Sequence, residues 1–169
     1  YDDAPKQLSR DYVLKQLKPW LEDASTKKVG HNLKYDSHIF KNHNIDFQGV
    51  LLDTMLQSYI LNSTATRHNL NAVSKRYLNL NTVSYEDVAG KGAKEILFSQ
   101  VDLKKATYYA AEDADISLQL NQKIYTQLEE HESLLSVYKN IEAPALQVLQ
   151  RVERNGVLID ENLLSKQSE

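Results

Sequence analysis

Ala106-Thr-Tyr-Tyr-Ala-Ala-Glu-Asp-Ala-Asp115 lies near the start of a run from Asp102 to His131 that contains no Gly or Pro. The spacing predicts one long α-helix. Tyr109, Asp113, Ile116, Leu120, Ile124 and Leu128 recur at i, i+4, i+7 and i+11, which places them on a single stripe. All but Asp113 are apolar or aromatic, so the stripe should face a core. A carboxylate on such a face is costly unless it is paired, hydrogen-bonded or metal-bound. Two readings follow. Asp113, one turn from the Tyr109 hydroxyl, is half of an active site, or it is a buried Asp satisfied by a helix cap or a Lys.

Working outward, Ser9 can cap a helix from Arg10 to Glu22 whose apolar face is Val13, Leu14, Leu17 and Leu21, with Pro19 limiting its last turn. Lys27 to His31 reads as a short strand. Asn32 follows as an N-cap, then a helix from Leu33 to His43 with Asp36 in its first turn, where the helix dipole favours negative charge. Asp36 shares a face with Phe40. Gly49 to Leu52 is a second short strand, and Asp53 caps a helix to Leu61; a catalytic Asp53 is the less favoured reading. Two strand-then-helix units in succession predict a parallel α/β arrangement. A helix over Asn69–Leu78 and a short one at Tyr85–Val88 come next. Gly90-Lys-Gly92 lacks the spacing of a phosphate-binding loop and reads as a turn. From Leu134 to Glu153 the helical period returns, interrupted by Pro144 and stopped at Asn155-Gly156, before Val157-Leu-Ile-Asp160 and a polar stub. The first residue is not Met, and the chain reads as a piece of something longer.

Composition excludes several classes. The 169 residues contain no Cys, so neither a disulfide framework nor a Cys-ligated zinc site is possible. No apolar run approaches the roughly 18 residues of a membrane span, and no signal-peptide pattern opens the chain. A formal charge of −3 does not mark a nucleic-acid binder, but it permits an enzyme that holds metals with carboxylates and touches few phosphates. No His-Glu-x-x-His zinc pattern occurs among the five histidines. His31, His38 and His43 share a basic segment with Lys27, Lys28, Lys34 and Lys41, which reads as a solvated helix face. Asp36 and Asp113, if brought together, would repel unless a cation lay between them. Mg²⁺ or Mn²⁺ suits such oxygen ligands.

Val29-Gly-His-Asn-Leu-Lys-Tyr-Asp36, Leu52-Asp-Thr-Met-Leu56, Tyr59-Ile-Leu-Asn62, Arg67-His68 and Tyr109-Ala-Ala-Glu-Asp113 resemble, in order and register, the proofreading 3′–5′ exonuclease domain of bacterial family A DNA polymerases. Within that set, Asn32-Leu-Lys-Tyr-Asp36 and Tyr109-Ala-Ala-Glu-Asp113 look like the second and third exonuclease motifs of the DEDD class, tyrosine branch. Ile141-Glu-Ala-Pro-Ala-Leu146 and Arg154-Asn-Gly-Val-Leu-Ile-Asp160 look like the entry to a polymerase thumb. The resemblance implies a ribonuclease H-like α/β fold, shortened at its N-terminus and mostly helical with about two parallel strands. It implies an exonuclease domain over 1–132 and a linker helix with the start of the thumb over 133–169. It further implies two divalent metal ions held in part by Asp113 and Asp36, with Tyr109 orienting the attacking water. His31, Asn32, Tyr35, Arg67 and Tyr85 would contact a single-stranded DNA 3′ end. Relatives more often carry Gln at position 31 and Phe at 85.

The class also needs an Asp-x-Glu motif on the first strand, and this sequence has none. The chain alone is therefore expected to be inactive, within a polymerase that both extends DNA and proofreads in the bacterial cytoplasm. The polymerase domain of the same parent chain would be a partner, and a crystal neighbour, a dimer or the missing segment would cover the surface left bare. The competing readings are a ribonuclease D-like 3′–5′ exoribonuclease and a non-catalytic exonuclease-like module that binds DNA or braces a polymerase.

Overall fold

A computed structural model of the chain describes residues 4–65 and 67–168. The elements run α1 (Arg10–Leu21), β1 (Lys27–Gly30), α2 (Leu33–Asn42), β2 (Val50–Asp53), α3 (Thr54–Leu61), α4 (Leu70–Leu78), α5 (Tyr85–Ala89), α6 (Leu103–Glu129), α7 (Glu132–Val137), α8 (Ala143–Asn155) and α9 (Glu161–Ser168). Helix starts follow the local chemistry. The side chains of Ser9, Asn69 and Asp102 each accept a backbone N–H from the first turn of the helix they precede.

The two strands pair in parallel, from Lys27 opposite Val50 to Gly30 opposite Asp53, with α2 as the crossover. Gly49 opens β2 at φ +113°, and a Cβ there would lie 2.4 Å from the Thr26 carbonyl oxygen, so only glycine fits this turn. The core forms where α4 meets α6: Val73, Ile116, Leu120 and Ile124 are buried together, with Leu61, Leu70, Tyr77 and Leu78 packed around them. The lower part of the α6 stripe, Ile116 to Leu128, is buried as its period requires. Tyr109 and Asp113, further up the helix, are only half-buried.

Several expectations need correction. Asn32 stands at the N-cap position of α2, but its backbone is left-handed (φ 63°) and its side chain makes no cap. The cap comes from Asp53, twenty-one residues on. Its carboxylate accepts from Asn32 N (3.1 Å) and Leu33 N (2.8 Å), and also from Met55 N (2.9 Å) and Leu56 N (3.3 Å) at the start of α3. One buried side chain thus closes two helices. The basic segment is not wholly a solvated face. Lys28 is buried, and its ammonium donates to the Asp23 carbonyl (2.9 Å) and the Thr26 hydroxyl (2.5 Å) beside the rings of Trp20 and Phe47.

Pro144 does not break the helix before it. A π-helical turn, Tyr138–Glu142, joins α7 to α8, and Pro144 sits in the first turn of α8. The wide turn carries Tyr138 into the interior. There its hydroxyl accepts from Asp53 N (3.1 Å) and Gln57 Nε2 (3.3 Å). The polar stretch after Asp160 forms the exposed helix α9.

Candidate active site

The cleft that gathers the acidic residues lies at the C-terminal end of β1, between α2 and α6. It has a volume of about 440 Å³ and is lined by Gly30, His31, Asn32, Asp36, Asp113 and Ser117, among others. In open parallel sheets the carboxyl ends of strands are where ligands bind. Asp36 comes from the first turn of α2 and Asp113 from the upper end of the α6 stripe.

Both carboxylates are electrostatically uncomfortable. Burial, and then the neighbouring Asp53, raise Asp36 to about 6, while its own backbone N–H pulls in the opposite direction. Burial raises Asp113 as well; Glu112 adds to that, and the nearby Tyr109 hydroxyl opposes it. Among the described residues neither Asp36 nor Asp113 forms an ion pair. The reading of Asp113 as an Asp satisfied by a Lys is thereby excluded for these residues, and a cap role is excluded by its place inside α6. Tyr109 is pushed up to about 12, by burial first and then by the Asp113 charge, so its hydroxyl keeps its proton and remains a hydrogen-bonding group.

His31 lines the cleft, but its ring is engaged inward. One ring nitrogen, Nε2, meets the His68 carbonyl (2.9 Å), and the other, Nδ1, meets the Thr54 hydroxyl (2.9 Å). Burial lowers the pKa of His31, favouring the neutral ring that donates to one partner and accepts from the other. His68 is tied to Ser58 Oγ (3.0 Å) through its own ring. The connection carrying Arg67 is thus fixed to β1 and α3, while Arg67 itself is exposed. Tyr35 is 63% exposed on α2. Tyr85 opens α5 behind a Ser84–Asp87 capping box. It reaches α6 through Phe98: the Tyr85 and Phe98 rings stack at 6.2 Å, and Phe98 lies 6.1 Å from Tyr109. Also on α6, next to Asp113, Glu112 accepts the Val83 N–H at 2.7 Å. Sequence reasoning overlooked Phe98 and Glu112: Phe98 belongs to no motif, Glu112 occupies an unspecified position of Tyr-x-x-x-Asp, and each acts across a long loop.

The fit to metal is partial. Two carboxylates face one cleft without a cation, which is the donor chemistry a hard divalent ion prefers. Among the described residues, however, no group of three or more His, Cys, Asp or Glu comes together as a metal site.

A family model for the 3′–5′ exonuclease of family A DNA polymerases matches residues 4–129. The chain belongs to this exonuclease family. It is 49% identical to DNA polymerase I of Pseudomonas aeruginosa over 99% of its own length, and 39% identical to that of Rhizobium leguminosarum over 98%. It spans 19% and 16% of those two proteins. The "DNA polymerase" of Escherichia phage T5 is 29% identical over 88% of the chain and 19% of that protein. Among solved structures, one described as the POL domain of Pol1 from M. smegmatis in complex with DNA primer-template and dNTP superposes with a TM-score of 0.72. That match covers 95% of this chain and 24% of the other at 20% identity, and shows the fold alone. The exonuclease chain therefore has the ribonuclease H-like fold, mostly helical with two parallel strands among the described residues. It is the exonuclease region of a DNA polymerase I homologue, which sets aside the ribonuclease D-like reading. The family implies use of divalent metal ions. No helix of the described residues is long and apolar enough to cross a membrane.

Proposed function

We propose that this chain presents Asp113, Asp36 and Tyr109 to the terminal phosphodiester of a single-stranded or mispaired DNA 3′ end, within a cytoplasmic bacterial polymerase that also extends DNA. The observation that carries this reading is the pair of uncompensated carboxylates, Asp36 and Asp113, on opposite walls of one cleft. Asp113 and Asp36 would hold the two divalent ions, Mg²⁺ or Mn²⁺. Those ions, when bound, supply the positive charge that acidifies water and neutralises the charge growing on the phosphate. Only half the ligands come from this chain, since it contains no Asp-x-Glu.

The remaining steps belong to the chain's own side chains. Tyr109, protonated at neutral pH, orients the attacking water by hydrogen bonding and does not act as the base. Asn32 lines the cleft and the exposed Tyr35 of α2 offers a further polar group for the strand, Arg67 can pair with a phosphate, and Tyr85 offers a ring to a base. His31 contributes by anchoring the Arg67 connection, because a nitrogen contact to DNA would break one of its internal bonds. Residues 1–132 would form the exonuclease domain, and 133–169 the passage to the thumb. The unpaired sheet edge would be covered by the rest of the polymerase, or by a second copy when the chain is isolated.

The test is hydrolysis. In the full-length gene product containing this sequence, Asp113→Ala should abolish Mg²⁺-dependent release of mononucleotides from a single-stranded 3′ end. The isolated 169 residues should release none. Unchanged release by the full-length Asp113→Ala variant would sink the assignment.

A further inference from the structure

The loop from Asn79 to Asp102 is tied to the catalytic helix at two points, and both bear on the candidate site. At one, Glu112, next to Asp113, accepts the Val83 N–H. At the other, Phe98 stands between two tyrosines: nearly parallel to Tyr85 (21°) and tilted 59° to Tyr109. The loop below Phe98 is itself braced. Ala89 is buried and its carbonyl accepts from Ile96 N at 2.8 Å, and Val101 is buried at the loop's end. Phe98 is 41% exposed, so it is held in place for its edges and faces rather than as core filling.

We propose that Phe98 is a positioning residue for 3′-end hydrolysis, joining the ring that would seat a terminal base, Tyr85, to the hydroxyl that would orient water, Tyr109. This rests on the exonuclease reading. A tyrosine hydroxyl at the end of two rotatable bonds is a poor orienting group unless its ring is held. The Phe98 ring packs against that of Tyr109. Because the same ring stacks on Tyr85, a base pressing on Tyr85 is sensed at Tyr109 through one rigid aromatic step. A correctly seated 3′ nucleotide would thus align the hydroxyl that serves its own removal.

The experiment uses the full-length gene product and an oligonucleotide with a 3′-terminal 2-aminopurine. Two quantities are read: single-turnover hydrolysis with Mg²⁺, and binding by 2-aminopurine fluorescence in EDTA. Phe98→Ala should slow hydrolysis by roughly tenfold, the scale of one lost aromatic pair, and weaken metal-free binding a few-fold. Phe98→Tyr should recover both. Phe98→Leu should restore the unfolding temperature but not the rate. In a Tyr109→Phe background, Phe98→Ala should slow hydrolysis no further, since its effect on rate passes through the hydroxyl.

Full additivity with Tyr109→Phe, or a wild-type rate in Phe98→Leu, would overturn the proposal and leave Phe98 a packing residue. If Phe98→Ala does not fold, Phe98→Leu carries the same cycle: a rate loss present with Tyr109 and absent with Phe at 109 supports the proposal, and equal loss in both overturns it. If Asp113→Ala keeps metal-dependent hydrolysis, the exonuclease reading fails instead, a result separable from any behaviour of Phe98.

Discussion

The ends of the two strands carry the same residue type to opposite effect. At the end of β2, Asp53 is almost completely buried and its carboxylate accepts four backbone N–H groups from the starts of two helices. At the end of β1, the cleft holds Asp36 and Asp113, half-buried and without a cation. Burial alone therefore says little about whether a carboxylate is functional. What separates the two places is satisfaction. The Asp53 site is complete without any ligand, whereas the cleft gathers negative charge that folding leaves uncompensated.

Removing the satisfied carboxylate should have the largest effect. Asp53→Ala uncaps α2 and α3 together and should cost about 3 kcal/mol or more of stability, measured by urea unfolding of the chain. A loss under about 1 kcal/mol would mean that water replaces the carboxylate easily, and the contrast with the cleft would collapse. Next comes Tyr138→Phe, which leaves the buried Asp53 N–H without its acceptor. About 1–2 kcal/mol should be lost, read from the same denaturation curves.

The cleft should respond with the opposite sign. Asp36→Asn and Asp113→Asn should raise the melting temperature of the metal-free chain, while in the full-length protein each abolishes 3′-end hydrolysis. The pH dependence sharpens this. Asp36 is raised to about 6 in the folded chain, above its unfolded value of 3.8, so the folded state holds the proton more tightly. Its contribution to stability is present at low pH and is lost as pH rises through 6. His31 works the other way, because burial favours its neutral form and folding strains its charged one as pH falls. The difference in melting temperature between wild type and Asp36→Asn isolates the Asp36 part, and it should shrink as pH drops from 7.5 to 5. A constant difference would show that Asp36 meets a compensating group.

The smallest effect belongs to the outer surface. Glu153 on α8 bridges Lys34 and His38 of α2. Its side chain is 44% exposed, so Glu153→Ala should cost no more than about 1 kcal/mol. A larger cost in thermal unfolding would mark α8 as a structural brace of the helix that carries Asp36.

Much of this was legible in the chain itself. The two parallel strand–helix units, the cap of α1 at Ser9, the cap of α3 at Asp53, and the apolar stripe of α6 follow from local spacing and turn chemistry, which act within a few residues. That stripe also singled out Asp113, because its period leaves one acidic position among apolar ones. Asn32 was harder: a good capping residue directly before a helix normally caps it. Here Asp53, reached through the parallel strand pairing, takes the N–H groups first, and Asn32 is left to supply the left-handed turn it tolerates well.

By itself the sequence determined where helices and strands form, the family to which the chain belongs, and which carboxylates deserve suspicion. Each of these depends on patterns of neighbours along the chain. Tertiary structure alone decided which of these carboxylates found a partner and which did not. It filled Asp53 with backbone donors, turned the His31 ring inward, buried Lys28 between aromatic rings, and set Phe98 between Tyr85 and Tyr109. Those outcomes depend on which polar group finds a partner first across distant segments. That competition is settled by packing, and no local period records it.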